Sequence, residues 1–164
     1  MMTMNPEISS RPSWDTTWMD IARLIAKRSV CSRAQVGAVV VSANQRISAT
    51  GYNGPAAKLK VDGNCINWCP RAQGLTALDN TYDSCPSIHA EANALLYVDR
   101  SRVDDGTIYV TGAPCMQCAK LISNSGLRRV VAIIRTIDVH RQPEKVLDYL
   151  RSCGLEVETI EENE

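Results

Sequence analysis

Two short segments of this chain hold the residue types best suited to chemistry. SIHAEANAL, residues 87–95, contains His89 and Glu91, and TGAPCMQCAK, residues 111–120, contains Cys115 and Cys118. The chain has only two histidines, and one of them stands two residues before this glutamate. An imidazole and two thiolates are ligands that zinc prefers in proteins. The four side chains therefore predict a metal site.

The spacing of Cys115 and Cys118 predicts that the two thiols share a helix face. Pro114 is expected to open a helix, and residues three apart on a helix lie on the same side. A helix N-terminus also stabilises thiolates through its partial positive charge. Three protein ligands leave zinc a fourth position for water, which is typical of a catalytic site and not of a structural one.

Glu91 is predicted to act beside the metal without binding it. Side chains two residues apart on a helix diverge, so Glu91 can stand over the open position while His89 binds the ion. A carboxylate there can take a proton from water and pass it to a leaving nitrogen. The alternative is a core histidine with two unrelated buried thiols. The combination of both motifs, each opening a helix, favours the metal site.

Length and composition predict one domain over residues 1–164. The formal net charge is zero, which gives no general reason to expect binding to nucleic acid. We also find no apolar run of membrane-spanning length and no signal-peptide pattern in MMTMNPEISSRPSW. We therefore expect a cytoplasmic protein whose seven cysteines stay reduced, so metal binding explains them better than disulfides do.

The periodicity of apolar residues predicts elements in the order α-β-β-α-β-α-β-α-β. The predicted helices cover residues 14–28, 87–100, 114–126 and 143–154. The predicted strands cover residues 36–41, 46–51, 106–111, 128–135 and 155–160. The alternating second half indicates the α/β class, with three α/β/α layers and a mixed central sheet of about five strands.

A cysteine-rich insert at about residues 55–86 interrupts this pattern. Cys65 and Cys69 have a spacing within the range of zinc knuckles, and a metal would hold a segment that lacks regular structure. The alternative is a set of independent buried thiols. We expect Cys153 to pack in the core near the last helix, and His140 of DVHRQP to lie in an exposed loop.

Five segments resemble the deoxycytidylate (dCMP) deaminase family, within the cytidine-deaminase-like superfamily. They are CSRAQVGAVVV (31–41), GYNG (51–54), HAEANAL (89–95), TIYVTGAPCMQCAK (107–120) and GLRRVVAI (126–133). The H-x-E and P-C-x-x-C motifs are shared by the zinc nucleobase deaminases, whereas GYNG and HAExNA are more specific to dCMP deaminases. The resemblance runs from about Trp14 to Ile160.

The resemblance implies hydrolytic deamination of dCMP to dUMP with release of ammonia, a step in pyrimidine deoxynucleotide metabolism and dTMP supply. It implies that Glu91 is the proton shuttle, that Asn53 binds the sugar and that the backbone of Ala90 meets the base. The implied ligands of the catalytic Zn²⁺ are His89, Cys115 and Cys118. The substrate phosphate needs a cation or a helix N-terminus. Arg33 is the candidate cation, and a solvated surface charge is the favoured alternative for it.

Further properties follow from the same resemblance. Many bacterial and phage members carry a second, structural Zn²⁺ in the insert. Its implied ligands here are Cys31, Cys65, Cys69 and Cys85. Family members are often homohexamers that dCTP, with Mg²⁺, activates and dTTP inhibits. The residues positioned for this allosteric regulation are Tyr52, Asn53, Gly54 and Arg100.

The chain departs from the family after GYNG, where it continues PAAKLK, and after the strand that follows P-C-x-x-C, where AIIRTIDVH lacks the usual aromatic residue. A 5-substituted dCMP therefore stays open as the substrate. Two other functions are a nucleic-acid deaminase of the tRNA adenosine type and a non-enzymatic zinc-stabilised binding domain. The first would need a basic surface for a single strand, and Glu91 with an open metal position argues against the second.

Overall fold

A computed structural model describes residues 11–76 and 82–162. The α-helices in these ranges are α1 (Trp14–Ala26), α2 (Ala90–Tyr97), α3 (Met116–Ser123) and α4 (Pro143–Ser152). The strands are β1 (Gly37–Val41), β2 (Ile47–Tyr52), β3 (Gly54–Pro55), β4 (Ser87–Ile88), β5 (Thr107–Val110), β6 (Arg129–Ile134) and β7 (Glu156–Glu161). Within the described ranges, every helix is too short or too polar to cross a membrane.

Five strands form one mixed sheet in the order β2-β1-β5-β6-β7. Strand β1 runs antiparallel to both of its neighbours, whereas β5, β6 and β7 run parallel to one another. Helices α3 and α4 make the crossovers that parallel strands require. The predicted order of the main elements and the mixed α/β sheet are confirmed.

Helices cover both faces of the sheet, and β1 supplies apolar side chains to both cores. On one face, Trp18 and Met19 of α1 form a buried cluster that includes Val39 of β1. On the other face, Ala38 and Val40 join the apolar residues of α2, α3 and α4. This alternation follows from the two-residue period of a strand. The two cores make the three-layer arrangement that the sequence predicts.

The chain before α2 differs from the predicted helix over residues 87–100. Ser87–Ile88 form a short strand that pairs with Gly54–Pro55, and the helix begins only at Ala90 and ends at Tyr97. Strands of two residues carry no periodic pattern, so sequence periodicity cannot find them. His89 becomes the N-cap residue of α2, held between a strand pair and a helix.

Helix α3 also begins later than predicted. Its N-cap residue is Cys115, whose Sγ accepts a hydrogen bond from the backbone amide of Cys118 at 3.5 Å. The helix ends at Ser123, and Gly126, with φ +93°, lies beyond it in the turn toward β6. Both cysteines therefore lie on the first turn of a helix, as their spacing predicts.

Gly51 of β2 allows α2 to lie close to the sheet. A Cβ atom at this position would overlap the carbonyl oxygen of Ala90 and the backbone nitrogen of Ala94. These atoms belong to the rigid backbone of α2, which cannot yield as a flexible side chain does. The absence of a side chain at Gly51 therefore sets the distance between the sheet and the helix that carries Glu91.

We expect Gly51→Ala to lower the free energy of unfolding by about 3 kcal/mol, because the added methyl group must push α2 from the sheet. Urea denaturation of the wild-type protein and the variant measures the effect. Thr50→Ala is the control, since Thr50 is an exposed neighbour on the same strand and its replacement should change stability by less than about 1 kcal/mol. Equal unfolding midpoints for Gly51→Ala and the wild type would contradict the proposed close contact.

Candidate metal centre

The starts of α2 and α3 bring one imidazole and two thiols together. The Nδ1 atom of His89 lies 3.4 Å from the Sγ atom of Cys115 and 3.4 Å from that of Cys118. All three ligand atoms lie within 4.8 Å of one another. Among the residues that the structure describes, no other group of three or more metal-ligating side chains has its ligand atoms this close together. The trio predicted from the sequence thus converges in space.

The geometry of the trio fits zinc. Tetrahedral zinc, with ordinary bonds to nitrogen and sulfur, separates these two ligand atoms by about 3.6 Å. The observed distance of 3.4 Å is close to this value. Hydrogen bonding from Cys118 and the nearby His89 lower the pKa of the Cys115 thiol to about 4. Cys115 is therefore a thiolate at neutral pH, the form that binds metal.

Glu91 lies beside the trio and is almost fully buried, with 2% of its surface exposed. Interaction with Cys115, burial and the nearby Glu91 carboxylate raise the pKa of the Cys118 thiol. Burial raises the pKa of Glu91 above its ordinary value, because the charged carboxylate loses its hydration. A raised pKa makes a carboxylate a better proton acceptor, which a general base requires.

A cavity of about 240 Å³ opens in front of these residues, and His89, Ala90 and Glu91 line one part of it. Asn53 also lines the cavity, but its side chain has structural partners. Its Oδ1 accepts a hydrogen bond from the amide of Val36 at 2.8 Å, and its Nδ2 donates to the carbonyl of Ala34 at 2.9 Å. Asn53 therefore shapes the cavity wall, and its sugar contact, like the base contact of Ala90, stays a prediction.

The residues predicted for regulation lie near opposite ends of α2. The carbonyl oxygen of Tyr52 accepts a hydrogen bond from Asn93, near the start of the helix, at 2.8 Å. Gly54 follows Tyr52 and pairs with the strand before α2. Arg100 lies past the other end of the helix, in a short 3₁₀ turn. The structure therefore does not gather these residues into one site.

The four cysteines predicted for a second zinc lie along the same cavity and meet in pairs. The Sγ atoms of Cys69 and Cys85 are 3.8 Å apart, and burial together with the neighbouring Cys65 raises the pKa of the Cys31 thiol. No three of the four have sulfur atoms that all lie within 4.8 Å of one another. Cys153 is exposed, so its predicted place in the core is wrong.

A cluster around Tyr82 was not predicted from the sequence. The ring of Tyr82 stands edge-on to that of His89, with 4.6 Å between centroids, and the guanidinium carbon of Arg71 lies 4.4 Å from the centroid of the Tyr82 ring. The Tyr82 hydroxyl accepts a hydrogen bond from Arg141 Nε at 2.7 Å and bonds to His140 Nε2 at 2.8 Å. His140 is half-buried and lines the cavity, so its predicted position in an exposed loop is wrong.

Asp138 fixes the chain that leads into the metal ligands. This carboxylate, 1% exposed, accepts hydrogen bonds from the backbone amide of Ala113 at 3.0 Å and from the side chain of Arg135. Arg141 donates to the carbonyl oxygen of Ala113 at 2.6 Å. Both backbone groups of Ala113, two residues before Cys115, are thereby held. The spacing of three residues between the successive charges Arg135, Asp138 and Arg141 was the signal in the sequence, since residues three apart eclipse on a 3₁₀ helix.

Comparison with known proteins identifies the family. Residues 12–134 match the model of the cytidine and deoxycytidylate deaminase zinc-binding region. The deoxycytidylate deaminase of Mycobacterium phage D29 is 44% identical over 127 residues, which cover 74% of this chain and 95% of that protein. The deoxycytidylate deaminase of Saccharomyces cerevisiae is 37% identical over 149 residues, 90% of this chain, but the match spans only 45% of the yeast protein.

Solved structures agree with this result. The dCMP deaminase of cyanophage S-TIM5, in complex with dCMP and dUMP, aligns with a TM-score of 0.68 and 29% identity over 96% of this chain and 100% of that one. A tRNA:A34 deaminase aligns with a TM-score of 0.51 at 19% identity, which shows a shared fold alone. The match to the zinc-binding region contains all three ligands of the trio, and the chain belongs to the cytidine and deoxycytidylate deaminase family.

Proposed function

We propose that this protein is a dCMP deaminase, which converts dCMP and water to dUMP and ammonia. The observation that carries the proposal is the buried Glu91 beside the His89, Cys115 and Cys118 trio, at a cavity open to a small molecule. Two phage relatives, which match 74% and 87% of this chain, are named deoxycytidylate deaminases.

His89, Cys115 and Cys118 hold the zinc ion in this proposal. When bound at such a site, zinc polarises a coordinated water and lowers its pKa to about 7. Glu91 takes one proton from the attacking water and passes it to N3 of the cytosine ring as the oxygen bonds to C4. It then moves the second proton from that oxygen to the exocyclic nitrogen, so that the bond from C4 to this nitrogen breaks, ammonia leaves and C4 keeps a carbonyl oxygen.

Burial of Glu91 supports this shuttle. The carboxyl group lies against the Cys118 thiol and faces little bulk water, so its proton passes to the substrate more readily than to solvent. The raised pKa of Glu91 means that its carboxylate binds a proton more tightly than an ordinary glutamate does. A carboxylate with an ordinary pKa would hold the proton too weakly to protonate a leaving nitrogen.

A small-molecule substrate fits this chain better than a nucleic acid. The formal net charge is zero, whereas a surface that binds single strands is strongly positive. The cavity is also bounded by the cysteine-rich segment, which supplies Cys65, Cys69 and Cys85 to its wall. A 5-substituted dCMP stays a second candidate substrate, because the chain departs from the family after GYNG.

Regulation and assembly stay predictions. The family resemblance suggests a homohexamer, activated by dCTP with Mg²⁺ and inhibited by dTTP. The position of Tyr52 and Gly54 beside the start of α2 supports regulation at that end of the helix, close to Glu91. The free state of all seven cysteines supports a cytoplasmic site of action, where thiols stay reduced.

Purified protein should deaminate dCMP and act little on dCTP, deoxycytidine or a short cytosine-containing oligonucleotide. The fall in cytosine absorbance in the ultraviolet measures each rate, and 5-methyl-dCMP belongs in the same panel. We expect the monophosphate to be favoured because the cavity is small and its wall is cationic. Faster turnover of the oligonucleotide than of dCMP would contradict the proposal.

The proton shuttle is tested in the same assay by Glu91→Gln, which keeps the shape of the side chain. We expect turnover of dCMP to fall by about 1,000-fold, the usual contribution of general acid–base catalysis, while the zinc content is unchanged. Glu144→Gln is the matched control, because Glu144 is exposed at the start of α4. Normal turnover by Glu91→Gln would remove Glu91 from its proposed role.

We further propose that Cys31, Cys65, Cys69 and Cys85 hold a structural zinc. Sulfur atoms on a tetrahedral zinc are about 3.8 Å apart, and Cys69 and Cys85 have this separation at 3.8 Å. The pair formed by Cys31 and Cys65 must move toward them to complete the site. In its described part, residues 55–76 and 82–86, the cysteine-rich segment has little regular structure beyond a 3₁₀ turn at Cys65–Asn67, so a metal would stabilise it.

Elemental analysis should find two zinc ions in each wild-type chain. Cys115→Ser and Cys69→Ser should each keep one, because each removes a ligand from a different site. Cys153→Ser should keep both, since this exposed thiol belongs to neither group. Deamination should vanish in Cys115→Ser alone. A single zinc ion in the wild-type protein would contradict the four-cysteine site and leave the catalytic one.

A further inference from the structure

The cavity beside the metal trio is rich in cations. Three guanidinium groups line the cavity, those of Arg33, Arg71 and Arg141, together with two carboxyl groups, those of Glu91 and Asp138. A nucleoside monophosphate places its base and its doubly charged phosphate at opposite ends of one molecule. If the base lies at His89 and Glu91, the phosphate needs a cation at the far end of the cavity.

Arg141 makes several contacts within the protein. Its guanidinium group donates to the carbonyl of Ala113 and to the hydroxyl of Tyr82, and it lies 3.5 Å from the carboxylate of Asp138. The positive charge of Arg141 neutralises the negative charge of Asp138, and its N–H groups fix the backbone just before Cys115. Arg141 is therefore suited to support the site more than to bind a ligand.

Arg71 is better placed for an anionic ligand. Its guanidinium carbon lies 4.4 Å from the centroid of the Tyr82 ring, which lies 4.6 Å from that of His89. Both distances end at the Tyr82 centroid, so the Arg71 guanidinium carbon is at most about 9 Å from the centroid of the His89 ring. A nucleoside monophosphate can span this gap. Arg33 lies beside it and donates to the carbonyl of Arg71 at 3.4 Å.

Tyr82 holds this arrangement rigid. Its backbone has φ of +61°, in the left-handed region that a bulky residue rarely adopts, so its surroundings must fix it there. The hydrogen bonds of its hydroxyl to Arg141 and His140 supply that restraint. The Tyr82 ring then holds the Arg71 guanidinium by a cation–π contact.

We propose that Arg71, with Arg33 beside it, binds the 5′-phosphate of the substrate and so selects a nucleotide over a nucleoside. The proposal rests on the proposed deaminase function. A guanidinium fork matches two phosphate oxygens, and the attraction is strong because Arg71 is only 3% exposed and water screens it little. Arg33 is exposed, so its contribution to phosphate binding is smaller.

This assignment gives the cysteine-rich segment a direct role in specificity. Arg71 lies two residues after Cys69, and Tyr82 lies three residues before Cys85. The contact between the thiols of Cys69 and Cys85 thus closes the segment that carries both the phosphate ligand and its aromatic support. A change that separates these two cysteines should weaken binding of dCMP before it affects the metal trio.

The test compares two substrates that differ only in the phosphate. We expect Arg71→Gln to lower kcat/KM for dCMP by about 100-fold, the loss expected for two charge-assisted hydrogen bonds. The kcat/KM for deoxycytidine, measured at high enzyme concentration, should change by less than about threefold. Arg71→Lys should retain part of the preference for dCMP, and Arg33→Gln should lose about tenfold. Arg151→Gln, on the exposed face of α4, should match the wild type.

Structural damage gives a different result from loss of a phosphate contact. If Arg71→Gln lowers kcat/KM for both substrates by the same factor, Arg71 supports the fold and the proposal is wrong. An Arg71→Gln variant that keeps the wild-type preference for dCMP over deoxycytidine would also contradict the phosphate assignment. The preference for dCMP over deoxycytidine must fall in this variant for the phosphate assignment to stand.

Binding measurements separate this proposal from the proposed function. Calorimetric titration with dUMP and with deoxyuridine compares the same two ligand classes without any turnover. Wild-type protein should prefer dUMP, and Arg71→Gln should lose most of that preference. A wild-type protein that prefers dUMP but does not deaminate dCMP would overturn the function and keep the phosphate site. If the wild-type protein deaminates dCMP but Arg71→Gln keeps the full preference for dUMP, the phosphate site is wrong and the proposed function stands.

Discussion

The site depends on two helix starts that meet closely enough for one imidazole to lie 3.4 Å from two thiols. Neither helix could hold this distance alone. Helix α2 is drawn to the sheet at Gly51, and α3 is fixed between the parallel strands β5 and β6. Asp138 and Arg141 then bind both backbone groups of Ala113, just before the cysteines. The metal geometry is thus a consequence of how the helices pack on the sheet.

Burial raises the pKa of both Glu91 and Cys115, but their different partners give the two groups net shifts of opposite sign. Loss of water raises the pKa of Glu91, which has no cation bound to its carboxyl group in the described contacts. Cys115 is buried as well, but hydrogen bonding with Cys118 and the neighbouring His89 lower its pKa to about 4. One cavity therefore contains a carboxyl group that can carry a proton and a thiol that has already lost one. This separation of pKa values is what divides the roles of base and ligand.

The sequence predicted the parts of the site that depend on short spacings. Cys115 and Cys118 are three residues apart, and His89 and Glu91 two, so helix geometry alone places them. The order of strands and helices followed from apolar periodicity in the same way. Tyr82 and His140 could not be found like this, because their hydrogen bond joins residues 58 positions apart. The spacing of charges around Asp138 was visible in the sequence, but its contact with Ala113 was hidden because it spans 25 positions and needs the folded sheet.

The residues proposed for catalysis and those proposed for phosphate binding lie in different parts of the chain. The metal trio and Glu91 lie at or within the first turns of helices that pack on the sheet. Arg71 and Tyr82 lie outside the helices and strands of the sheet, in the segment that also carries Cys69 and Cys85. The same catalytic centre can therefore serve different amino-bearing bases while the segment over the cavity decides which ligand enters. The preference for a phosphate in this chain then follows from where the cysteine-rich segment places one buried guanidinium group.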